Sequence, residues 1–186
     1  MVRGLPGAWL RLDLGTNAFT LIADADFPAN VARGGYLDGY FLVLTEDGQL
    51  SISSLNNGTI WDSADTARRS QGSDTWRSLL VDPPNVWLWG SLTSEIWYDN
   101  GASDFPFAAI PNAFLEVGIA AGDSPAAVGG HVCWLGQTRE GQIAVYDAPG
   151  QTLSGVPISD PIAPALADYT HVEDAIGWGE VWDGHP

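Results

Sequence analysis

The chain has 186 residues, enough for one domain with its own core, and its 45% apolar content separates it from disordered polymers. Seven basic residues, all Arg, stand against 23 acidic ones for a formal charge of −16, which repels phosphate and disfavours a tight grip on nucleic acid. The lack of Lys excludes Schiff-base and phosphate-loop chemistry, and the lone cysteine, Cys133, excludes an internal disulfide and a cysteine metal cluster.

The 22 Gly and 12 Pro predict many turns and few long helices. No stretch approaches the roughly 20 apolar residues of a membrane span, and no signal segment opens the chain, so no membrane anchor is expected. Residues 9–14 and 18–22, joined at Gly15-Thr16-Asn17, predict a hairpin, which sets an N-terminal segment 1–24 apart from the remainder, 25–186. Next come three apolar runs, FLVL, VWLW and VCWL, starting at positions 41, 86 and 132. A short strand and tight turn precede each run, and a polar turn and second strand follow it.

A strand–turn–strand–turn–strand unit with a period of about 45 residues is the pattern of propeller blades. The runs are apolar on both parities, as expected of strands covered on both faces, whereas a half-solvated strand alternates. The expected fold is therefore all-β: about three complete propeller-like blades, a truncated fourth and the N-terminal hairpin. A sandwich with evenly spaced core strands is the competing architecture. The fourth unit would start at residues 175–178 and turn at 182–184, stopping at Pro186, so its open edge awaits other chains or further sequence. A helix is predicted only at 162–169, with a single helical turn as the reading of 63–69.

The stretch SLNNGTIW at 54–61 is similar to the Asp-box turn of sialidase-like propellers, with Asn56 for Asp and Ile60 for Thr. Ser54 and Asn56 are read as bonding the turn backbone, Gly58 as supplying positive φ and Trp61 as the anchor. This motif is structural. Asn57-Gly58-Thr59 also fits a glycosylation sequon, but the turn accounts for it.

No catalytic constellation stands out, and no cofactor or metal is expected. His131, His171 and His185 lack zinc spacing, Gly-x-Ser-x-Gly is absent, and Cys133 lies in an apolar run that suits a buried, inert thiol. The close acidic pairs Asp24/Asp26, Glu46/Asp47 and Glu173/Asp174 leave a glycoside hydrolase as one alternative. The aromatic-acidic blend of Trp87, Trp89, Trp97, Tyr98 and Asp99 leaves a carbohydrate-binding propeller as another. Thr45-Glu46-Asp47-Gly48 does not supply a calcium cage. Glu46 and Asp47, at a hairpin tip, are the candidates for an acidic turn facing a channel.

Residues 39–70 (GYFLVLTEDGQLSISSLNNGTIWDSADTARRS) resemble the phage stabilisation proteins, the tail hub or nozzle family of short-tailed bacteriophages, also called packaged DNA stabilisation proteins. Residues 95–121, 128–136 and 174–178 resemble the same family, in the same order. The resemblance implies a structural virion component of propeller architecture, not an enzyme, made in the host bacterial cytoplasm and built into the tail. It implies a ring of copies, a hexamer, below portal and adaptor. It implies further that the ring carries tail fibres or spikes, retains packaged DNA and forms part of the ejection channel, with DNA passing through without tight binding.

Overall fold

The computed structural model describes residues 2–3, 9–69, 73–149 and 156–181. An N-terminal antiparallel sheet holds β1 (Val2–Arg3), β2 (Trp9–Asp13) and β3 (Ala18–Leu21). Blade 1 is a four-stranded meander of β4 (Val31–Leu37), β5 (Tyr40–Thr45), β6 (Gln49–Ser54) and β7 (Asn57–Arg68). Blade 2 repeats it with β8 (Trp76–Asp82), β9 (Asn85–Gly90), β10 (Ser94–Asp99) and β11 (Phe107–Leu115). Blade 3 has a split first strand: β12 (Gly118–Ile119) and β13 (Ala126–Val128) pair with opposite ends of β14 (His131–Gln137). β15 (Ile143–Pro149) and β16 (Val156–Pro157) complete it. These are the propeller blades that the period predicts.

The parity of the central strands shows how the sheets stack. On β5, Leu42 and Leu44 enter a core shared with Val86 and Leu88 of β9, whereas Val43 points the other way, toward Trp9 of β2. On β9, the intervening Trp87 and Trp89 face blade 3 and pack with Val132 and Trp134 of β14. A strand that feeds two interfaces has no solvent side, and all six residues of β9 are accordingly buried. The chain is thus a stack of four sheets with three cores between them.

The first strands converge. Arg33 of β4 donates from Nε to the Gly122 carbonyl (3.3 Å) and pairs with Asp123 through Nη2 (2.9 Å), while Ser78 of β8 donates to the same carbonyl at 2.6 Å. The segment between β12 and β13 therefore ties the leading edges of blades 1 and 2, as wedges around one axis require. Two hairpins use paired left-handed residues, Asp38-Gly39 (φ 50 and 92) and Gly129-Gly130 (φ 60 and 80), whose twist matches that of the flanking strands.

Three local expectations change. Residues 63–68 form no helical turn but the end of β7, because Thr66, Ala67 and Arg68 pair with Ser51, Leu50 and Gln49, and tertiary pairing overrides local preference. Residues 175–178 make one parallel bridge, Ile176 with Asp123, reinforced by the Gly177 amide on the Asp123 carbonyl at 3.0 Å, and not a ladder of their own. The turn expected at 182–184 lies outside the described residues. Cys133 is only partly buried, on the face of β14 opposite the core that Val132 and Trp134 enter. The helix expected at 162–169 is present as a 3-10 turn (Asp160–Ile162) running into α1 (Ala163–Ala167).

Candidate functional site

The densest polar arrangement lies where blade 1 hands over to blade 2. Arg69 directly follows β7, and its side chain, only 3% exposed, turns into the interface. Its Nη1 donates to Asp74 Oδ1 at 3.1 Å. Its Nε sits 3.0 Å from Glu95 Oε1, an ion pair whose N–H points off the line of a hydrogen bond, and Nη2 has no hydrogen-bond partner. The guanidinium also lies over the Phe114 ring, 5.5 Å from its centroid.

Glu95, buried on β10, accepts from two indoles: Trp76 Nε1 at 2.9 Å on one oxygen and Trp97 Nε1 at 3.2 Å on the other. Asp74 accepts from the Leu92 and Thr93 amides (2.8 and 3.2 Å) and from the Thr93 hydroxyl (2.8 Å). Burial alone would raise the Asp74 pKa, but those donors and Arg69 outweigh it and hold the carboxyl below its ordinary value. Gly90 has to be glycine here, since a Cβ would sit 2.1 Å from Asp74 Oδ2. One cation, two anions and a ring of N–H donors leave no opening for a substrate. The cluster holds two blades in register.

The candidate acidic turn, Glu46 and Asp47, joins β5 to β6 and is exposed. Its two members differ. Asp47 accepts from the Thr45 hydroxyl at 2.5 Å and pairs with Arg68 at 2.6 Å, and these contacts, the hydroxyl foremost, lower its pKa. The Glu46 carboxylate has no partner among the described residues, and only its backbone is held, by the Asn30 carbonyl at 2.9 Å. Gly48 (φ 79) lets the turn press against the backbone of Trp76.

In the Asp-box-like turn, Ser54 pairs with Asn57, and Trp61 is buried with its Nε1 donating to the Gly58 carbonyl at 3.1 Å. The left-handed residue is Asn56 (φ 57) and not Gly58. Gly58 is needed for space, because a Cβ would approach the Phe41 ring to 2.6 Å. The side chain that bonds the turn is that of Asn57, accepting from the Thr59 amide (3.1 Å) and hydroxyl (2.7 Å).

The residues of the alternative readings are not assembled for chemistry. Trp87 and Trp89 are fully buried between blades, so they present no face to a sugar. Asp24 accepts from the Asp26 amide, and the Glu173 pKa is lowered by backbone donors and His171. A lowered Glu173 is the opposite of the raised carboxyl that a general acid needs. His131 bonds Asp147 at 2.9 Å, and Cys133 reaches the same carboxylate at 3.5 Å. Desolvation and that negative charge push the thiol up to about 11, away from a nucleophilic thiolate. Among the described residues, no group of three or more His, Cys, Asp or Glu side chains is arranged to hold a metal ion.

A family model described as Bacteriophage P22 Gp10, beta-propeller, matches residues 7–181. The chain belongs to this phage stabilisation family. A search of curated proteins finds no match. Membership makes the chain a structural protein of the phage tail that stabilises packaged DNA, located in the virion, in a family not known for enzymes. The Arg69–Asp74–Glu95 cluster was not foreseen from sequence. Its one visible signal is Glu95, a charge directly ahead of the apolar Ile96-Trp97 in the buried half of β10.

Proposed function

We propose that this chain is a hub or nozzle component of a short-tailed phage, forming a ring below portal and adaptor that retains packaged DNA and lines part of the ejection channel. The observation that carries this reading is the propeller family match over residues 7–181. The charge of −16 supports it, since an acidic wall weakens phosphate adhesion and lets DNA pass. The ring is a hexamer bearing fibres or spikes, assembled from chains made in the host cytoplasm. Glu46 and Asp47 belong to the channel wall: the Arg68 bond to Asp47 steadies the turn, leaving Glu46 presented. Residues 25–186 act as the propeller part, and the 1–24 segment is clamped to it through Trp9, which packs with Val43 and Trp61.

The test is a phage lacking this gene. Purified particles should carry portal and capsid but lose their DNA to added nuclease, with restoration by the supplied protein. Gene-deleted particles that keep a full, nuclease-resistant genome would sink the proposal.

A further inference from the structure

A groove of about 580 Å³ runs between β15 and α1, on the edge of blade 3 and away from the cluster at Arg69. Its volume lies within the roughly 300–1,000 Å³ of small-molecule sites. The small side chains of Ala163 and Ala167 leave it open on the helix side. Gln142, Tyr146, Asp160 and Tyr169 bring polar groups to it.

These groups are not spent on the fold. The side chains of Gln142 and Asp160 make no hydrogen bond to any described residue, nor does the hydroxyl of Tyr146 or Tyr169. Tyr146 has one ring face occupied by Trp134 (centroids 5.7 Å apart, 21° between planes), and burial raises its phenol pKa, so its hydroxyl stays a neutral donor. Tyr169 is 67% exposed and its ring is free to stack. Among the described residues no Lys, Arg or His lines the groove, so an anionic ligand would find no countercharge beside Asp160.

We propose that this groove binds a neutral saccharide residue, with Tyr169 as the stacking platform and Asp160 and Gln142 receiving its hydroxyls. A carboxylate accepts two neighbouring hydroxyl protons, an amide both donates and accepts, and a tyrosine ring covers the apolar face of a pyranose. A basic side chain from a partner protein is the competing occupant, and the acetyl-lysine arm of the test separates the two. The inference is independent of the ring and channel reading.

The test is titration of the ¹⁵N-labelled protein with methyl glycosides of glucose, galactose, mannose and rhamnose, up to ~50 mM, well above the millimolar Kd expected of a single-residue ligand. Saturable amide shifts confined to Gln142, Ala163, Ala167 and Tyr169 are expected. Tyr169→Ala and Asp160→Asn should each raise the apparent Kd by about ten-fold or more, as loss of one main contact implies, while the remaining spectrum stays unchanged and so reports an intact fold. The proposal is overturned if none of the four glycosides gives saturable shifts there, or if the shifts survive both substitutions. It is equally overturned if Nα-acetyl-lysine methylamide perturbs the same amides at lower concentration.

Discussion

The interface between blades 1 and 2 and that between blades 2 and 3 are both rich in tryptophan, yet they treat the indole N–H in opposite ways. In the first, Trp76 and Trp97 meet edge to face and both donate to Glu95, which pairs with Arg69, itself anchored by Asp74. In the second, Trp87 and Trp89 stack on each other and meet Trp134 at a tilt, and the Nε1 of all three is buried without a hydrogen-bond partner among the described residues. An unsatisfied buried donor costs about 1–3 kcal/mol. The second interface carries that cost three times over, offset by apolar contact alone. The first satisfies its indoles by admitting a carboxylate, which then needs its own cation, and the unpartnered donors there are Nε and Nη2 of Arg69. Charge enters this core as a consequence of indole placement, and it makes one interface sensitive to chemistry that the other ignores.

The largest effect should come from Arg69→Ala. It leaves Asp74 and Glu95 buried side by side without their cation, and breaking a buried pair in this way costs about 3–5 kcal/mol. Urea unfolding followed by tryptophan fluorescence measures it. A loss below about 1 kcal/mol would mean that the cluster is solvated and the contrast between the interfaces is false.

Trp→Phe exchanges sharpen the comparison. At Trp76 the change removes ring volume and a hydrogen bond to a charged acceptor, a bond worth about 1.5–3 kcal/mol. At Trp134 it removes similar volume and also a donor that had no partner. Trp76→Phe should therefore cost roughly 1–2 kcal/mol more than Trp134→Phe in the same assay. Equal costs would show that both interfaces rest on packing alone.

Acid should separate the interfaces next. Asp74 has a depressed pKa in the folded chain, so its stabilisation is complete above the unfolded carboxyl value of about 3.9 and is lost as pH falls through the folded one. Hydrogen exchange at decreasing pH should show β8 and β10 amides losing protection before those of β14 once the intrinsic pH dependence of exchange is removed. Asp74→Asn should flatten that difference. Earlier loss at β14 would count against it.

How far the sequence reveals this architecture depends on which property a residue reports. Positions 41, 86 and 132 are legible because an inner strand covered on both sides must be apolar along its buried run, as β9 is from Val86 to Trp89. At Gly58, sequence shows that a turn needs a small residue, not whether backbone angle or the Phe41 ring demands it. Residues 175–178 look like a strand, yet a strand needs a partner edge, and Asp123 supplies only one bridge. The groove between β15 and α1 joins Gln142 to Tyr169, a pairing that spacing along the chain does not encode.

Arg68 and Arg69 make that limit concrete and yield the smallest effect. They are adjacent and identical in type, but β7 alternates sides, so Arg68 reaches out to Asp47 with half its surface in water while Arg69 is sealed within the core. Both ion pairs are short, at 2.6 and 3.1 Å, so distance does not distinguish them. Solvent does: an exposed pair gains little over its two hydrated ions, whereas a buried one leaves a stranded charge when broken. Arg68→Ala should therefore shift stability by no more than about 0.5 kcal/mol, and that shift should shrink further in high salt. If Arg68→Ala proved as damaging as Arg69→Ala, the turn at Glu46 and Asp47 would have to bear on the blade interface itself, through the contact of Gly48 with Trp76.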